Sequence, residues 1–126
     1  MNGLMLLMSA AAAAAPNTVP VPMVPAVKQD VQCFLLYAVA VDTAKDDKEK
    51  HGSSLGVMYY FAKLRVEAPT LDLAQAVKQE VTAFETDPKL KETGAACDAE
   101  FQKRGQELID LGTQLEQLMP QSSSSS

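Results

Sequence analysis

The stretch Val27-Lys-Gln-Asp-Val31-Gln-Cys33-Phe34-Leu35-Leu-Tyr-Ala38-Val39-Ala40-Val41 decides the fold. Val27, Val31, Phe34, Ala38 and Val41 recur at steps of four and three, which sets them along one face of an α-helix. Leu35, Val39 and Ala40 widen that face, so this helix should be central. A strand would need strict alternation, and the longer register here is helical.

Working outward, the charged run Asp42 to His51 interrupts the apolar pattern. Within it Asp46 and Glu49 have capping-box spacing, with Asp in place of Ser or Thr. A second helix is expected from about Asp47, with Leu55, Met58, Phe61 or Ala62, and Arg65 or Val66 facing inward. Gly52 and Gly56 weaken its start, and Ala68-Pro69 ends it. Thr70 is the expected cap of a third helix, with Asp72 in its first turn and a stripe of Leu71, Ala74, Val77, Val81 and Phe84. Asp87-Pro88 reads as a stop and restart. The last stripe is the most regular: Cys97, Phe101, Arg104, Leu108, Leu111, Leu115 and Leu118 step by four and three. Gly105 and Gly112 lie close to it and would let another backbone approach. The fold class is therefore all-α, a small four-helix bundle.

Upstream, Leu4 to Ala15 is an unbroken run of apolar and small residues, and no charged side chain appears before Lys28. The run is too short to span a bilayer and fits the apolar core of an export signal followed by small residues. Met1-Asn-Gly3 supplies only the α-amino charge. The expected division is a signal peptide over 1–14, a proline-rich spacer over 15–25, a helical domain over 26–119 and a disordered polar tail over 120–126. Pro16, Pro20, Pro22 and Pro25 favour extended backbone in the spacer. No second apolar run is long enough to span a membrane once the signal is removed, so the mature product is expected in the periplasm or secreted.

The only cysteines are Cys33 and Cys97, and an even pair in an exported chain reads as a disulfide between the first and last helices. Two buried thiols or a metal pair are the alternatives. A structural zinc needs four ligands, and His51, the lone histidine, does not complete the set.

Sixteen acidic against eleven basic residues give a net charge of −5, which argues against nucleic-acid binding and against anionic lipid. Catalytic signals are sparse. Gly52-Ser-Ser-Leu-Gly56 lacks a phosphate-loop ending, and the paired carboxylates have the spacing of solvated helix faces. No catalytic residue, cofactor or metal ligand is assigned. Three residues are candidates for a contact surface. Tyr59 and Tyr60 precede Phe61, and three consecutive aromatics on a helix cannot all face inward. Arg104 alone breaks the apolarity of the last stripe, where Glu67, Asp72 or Glu100 would be its partner. The expected function is protein–protein contact, with an unidentified partner or with itself as a homodimer.

Several segments together carry a resemblance: the leader ending Ala-Ala-Pro16, Asp30-Val-Gln-Cys33-Phe-Leu-Leu, Gly56-Val-Met-Tyr-Tyr-Phe-Ala-Lys-Leu-Arg65, and Ala96-Cys97-Asp-Ala-Glu-Phe-Gln-Lys-Arg-Gly105. They resemble small exported two-cysteine helical proteins of sphingomonad-type alphaproteobacteria. That resemblance implies periplasmic export and a helix-to-helix disulfide, and it brings no catalytic residues. In outline the chain is also similar to HdeA-type periplasmic acid chaperones, which are small, helical and held by one disulfide. On that likeness, neutralising the carboxylates at low pH would leave the basic charges to loosen the bundle.

Overall fold

The computed structural model describes residues 20–119, and these form four helices with no strand among them. The expected leader over 1–14, residues 15–19 of the spacer and the tail over 120–126 lie outside the described residues. Helix α1 spans Pro25–Asp42, α2 Asp47–Glu67, α3 Leu73–Phe84 and α4 Leu90–Leu118.

Each helix start has a local cause. Pro25 occupies the first turn of α1, where its missing N–H costs nothing. Asp46 caps α2 by accepting from the Glu49 amide at 2.8 Å. The Glu49 carboxylate in turn accepts from the Lys45 amide at 3.0 Å, one residue upstream of the expected box. Gly52 does not delay the helix, which runs from Asp47. For α3 the cap is Asp72, accepting from the Gln75 amide at 3.1 Å, and not Thr70. The chain is still turning at Thr70, because the Leu71 amide bonds back to the Ala68 carbonyl. Helix α4 begins at Leu90, seven residues before the expected stripe. Asp87 accepts from the Lys89 amide at 2.8 Å and closes the turn just ahead of it.

Helix α1 is the centre of the bundle. It packs most extensively on α2 and also on α3 and α4. One apolar cluster joins Val27 and Val31 to Leu64 and Ala76, with Phe34, Leu71, Leu73 and Val77 around it. A second gathers Tyr60 and the Cys33–Cys97 pair under Tyr37, Tyr59 and Phe101. The two sulfurs are bonded, with the Cα atoms 5.5 Å apart. Closing a loop of 64 residues restricts the unfolded chain by roughly 4 kcal/mol in the chain-entropy picture.

Two expected stripes are rotated. On α2 the buried residues are Gly56, Tyr60 and Leu64, while Leu55, Met58, Phe61 and Val66 are exposed. The reason is steric. A Cβ at position 56 would lie 2.6–2.7 Å from ring atoms of Tyr37, so the glycine leaves the space that the Tyr37 ring of α1 fills against the α2 backbone. Tyr60 and Leu64 follow at steps of four. On α3, Ala76 and Glu80 are buried, whereas Ala74 and Val81 face solvent.

Part of the proline segment belongs to the packed unit. The Val21 amide donates to Gln79 Oε1 at 2.8 Å, and Gln79 Nε2 donates back to the Val21 carbonyl. Met23 packs against the first cluster. Pro20 and Pro22 supply no amide of their own, so the Val21 amide is the donor left between them.

Candidate functional site

Two features outside the cores have chemical character: a charged cluster where α1, α2 and α4 meet, and the exposed far half of α4.

The cluster forms around Lys63. Its ammonium lies 3.0 Å from Asp30 Oδ1, 2.7 Å from Glu100 Oε2 and 3.8 Å from Glu67 Oε1. Three carboxyls share one ammonium, and Asp30 is almost fully buried with Oδ2 unpaired. An unpaired buried carboxylate oxygen is costly, and a proton on neighbouring Glu67 would relieve that cost by hydrogen bonding to Asp30. That hydrogen bond, together with burial, raises the Glu67 pKa above 4.5. Glu100 goes the other way. Burial opposes its ionisation, but hydrogen bonds from Lys63 and Tyr59 outweigh this and lower its pKa below 4.5. Lys63 is likewise desolvated, yet its bonds to Glu100 and Asp30 raise it above 10.5.

The contact candidates read from sequence separate here. Tyr60 is fully buried, and its hydroxyl donates to the Cys97 carbonyl at 2.8 Å, so it is a core residue and presents no contact surface. Burial and the nearby Glu100 charge raise its pKa, which keeps the donor protonated. Tyr59 sits at the edge, its hydroxyl donating to Glu100 Oε2 at 2.8 Å. Phe61 is the exposed aromatic of the three. Arg104 is exposed and pairs with Glu107 at 2.8 and 2.9 Å, not with Glu67, Asp72 or Glu100.

Sequence reasoning missed Asp30 and Glu80, the two buried acids. Glu80 accepts from Gln32 Nε2 at 3.0 Å. Both had a signal: Asp30 lies between stripe positions Val27 and Val31, and Glu80 is one turn from Ala76. Glu80, paired with Glu85, has the spacing expected of a solvated helix face, and Asp30 carries no expectation of its own. A recess of about 620 Å³ between the proline segment and the α2–α3 connection is lined by Val21, Met23, Val24, Leu71, Glu67 and Asp72. It is open and mainly apolar. No group of three or more His, Cys, Asp or Glu fit to hold a metal exists among the described residues.

The second feature begins where α4 leaves the body. Cys97 and Phe101 are its last inward residues in the stripe. From Gln102 to Met119 every residue but Gly105 and Gly112 is exposed. Leu108, Leu111, Leu115 and Leu118, the continuation of that stripe, are 50–77% exposed. At 1.5 Å per residue the helix carries them up to about 25 Å past Phe101. Nothing lies within 4 Å of where a Cβ would stand at Gly105 or Gly112. The backbone approach expected at these glycines is therefore not made within the described chain. No helix is long and apolar enough to cross a membrane among the described residues.

No family model, no curated protein and no solved structure matches this chain.

Proposed function

We propose that this chain is an exported, non-enzymatic helical protein that works through protein–protein contacts, and that its contact surface is the far half of α4. The observation that carries the reading is the row Leu108, Leu111, Leu115 and Leu118, a contiguous apolar face left in water. Scattered exposed leucines need no explanation, but a continuous row does. Export is supported by the Cys33–Cys97 bond, which persists in oxidising compartments, and by the apolar N-terminal run.

A photo-crosslinking side chain at Leu111, in cells making the full chain, tests the contact. Adducts are expected at Leu111 and not at the exposed control Lys48. A clean Leu111 lane would sink the reading. Intact mass with and without reductant tests export, the expected product beginning at Ala15 and gaining two hydrogens on reduction.

A second reading, an acid-stress chaperone of the HdeA type, is favoured by the Lys63 cluster. Three carboxyls hold α1, α2 and α4 around one ammonium. Protonating Glu100 would take a partner from Lys63, and with the carboxylates neutralised the eleven Lys and Arg charges of the chain would be unbalanced and loosen that junction. Suppression of client aggregation between about pH 2 and 4, where carboxylates titrate, is the expected activity. Absence of suppression there removes this reading.

A further inference from the structure

We propose that the occupant of the exposed α4 face is the same face of a second copy, paired antiparallel. This rests on the reading of that face as a contact surface and names its partner.

The spacing selects a helix as the occupant. Leu108, Leu111, Leu115 and Leu118 continue a seven-residue repeat whose earlier members, Cys97 and Phe101, are already docked on the body. Residues repeating at 3.5 per turn present knobs that fit the holes of another helix with the same repeat. With Leu108 and Leu115 at the a positions, Leu111 and Leu118 fall at d. The flanking e positions are then Gly105, Gly112 and Met119, and the g positions are Glu107 and Gln114. A second copy therefore meets no pair of like charges beside the seam.

The antiparallel arrangement fits this pattern in detail. Setting Leu108 across from Leu118 of the second copy places Leu111 across from Leu115, and both pairs repeat by symmetry. Gly112 then faces Gly112 of the second copy near the two-fold axis, where two bare backbones can approach. Gln114 faces Gln114 on the other side of the seam, a pair able to exchange amide hydrogen bonds. Gly105 leaves room for Met119 of the second copy. Parallel pairing in register would instead set Arg104 against Arg104 at the next d position. It would also crowd both bodies at one end. A self-complementary patch of this kind is what a two-fold dimer requires.

The far half of α4 also has little to hold it alone. Gly105 and Gly112 weaken its helix, and isolated helices of its length are marginal in water. Its local support is the Arg104–Glu107 pair and the Gln106–Asp110 hydrogen bond, both exposed. A second helix along the leucine row supplies the missing support.

Analytical ultracentrifugation of the purified, oxidised chain tests this. A monomer–dimer equilibrium in the micromolar range is expected, because the seam is short. Replacing Leu111 and Leu115 together by Lys should raise the dissociation constant at least about a hundredfold, with helix content and disulfide unchanged. The orientation is read from Gln114→Glu and Gln114→Lys. Each alone should weaken the dimer several-fold, and the two mixed should form a heterodimer preferentially. A strict monomer, or a dimer indifferent to the lysine pair, overturns the proposal. A dimer that loses Leu111 and Leu115 but ignores both Gln114 variants overturns the antiparallel arrangement. If the purified chain is monomeric while Leu111 still crosslinks a different protein in cells, self-pairing fails and the contact reading stands. If Leu111 crosslinks nothing, both fail.

Discussion

Along α1 the four-and-three spacing runs through Val27, Val31, Phe34, Ala38 and Val41, and along α4 it runs through Cys97, Phe101, Arg104, Leu108, Leu111, Leu115 and Leu118. In α1 the first half of that stripe is buried, with Val31 fully covered, because three helices pack on it. In α4 cover stops at Phe101, and four leucines beyond it stand in water. The same periodicity thus leads to opposite environments. What differs is reach: the disulfide and the aromatic group of Tyr37, Tyr59, Tyr60 and Phe101 fix only the first part of α4. The connections Thr43 to Asp46 and Ala68 to Asp72 are short and keep α2 and α3 against α1, so neither extends beside the end of α4.

Perturbations should therefore be large on the α1 side and small on the far side of α4. Converting both Cys33 and Cys97 to Ala should cost about 4 kcal/mol, read as a lower urea midpoint. Loss of less than half of that would mean α4 is held by packing rather than by the bond. Leu64→Ala, at the fully buried contact of α2 with α1, should cost about 3 kcal/mol. Gly56→Ala pits about 1 kcal/mol of helix propensity against a clash with Tyr37. The clash should win, leaving a net loss of about 1 kcal/mol, and a stabilised variant would show that α1 and α2 are not so close.

The pH dependence tests the junction between the two regions. Glu100 is lowered below 4.5, so its contribution is complete above that value and fades as pH falls through the lowered one. Glu67 is raised, so the fold prefers its protonated form and gains stability as pH drops through the window just above 4.5. Lys63 is raised, so its contribution is present below 10.5 and is lost as pH climbs through the higher value. Thermal midpoints should peak at mildly acidic pH, near the Glu67 titration. Glu67→Gln should remove the rise into that peak while keeping the acid limb. A peak unchanged in Glu67→Gln would count against the raised pKa of Glu67 as its cause.

The smallest effect belongs to the leucine row. Leu111→Ala in dilute monomer should change stability by no more than about 0.5 kcal/mol, because the side chain is half exposed. A larger loss at low concentration would mean that the row already has a partner within the chain.

Legibility followed how much information one helix carries about its own surroundings. The α1 stripe was readable at Val27, Val31 and Leu35, which are buried, but not at Val39, which was expected on the same face and is exposed. The α2 inner face was not readable, since Leu55, Met58 and Phe61 look more apolar than Gly56, Tyr60 and Leu64. The contact with Tyr37 that makes a glycine the best fit lies on another helix. Thr70 and Asp72 are both good caps, and the turn after Pro69 chose between them. Of the contact candidates, Tyr60 was drawn inward by the Cys97 carbonyl, a partner 37 residues away.

By itself the sequence determined four helices and their order, and named the one disulfide that could form, because helical period, caps and prolines act locally and only two cysteines exist. Tertiary structure alone decided which face of α2 turns inward, that Asp30 and Glu80 are buried, and that the leucines of α4 are not. Each of those outcomes depends on what stands opposite a residue. A one-dimensional pattern records that a face is apolar, and only packing determines whether anything covers it.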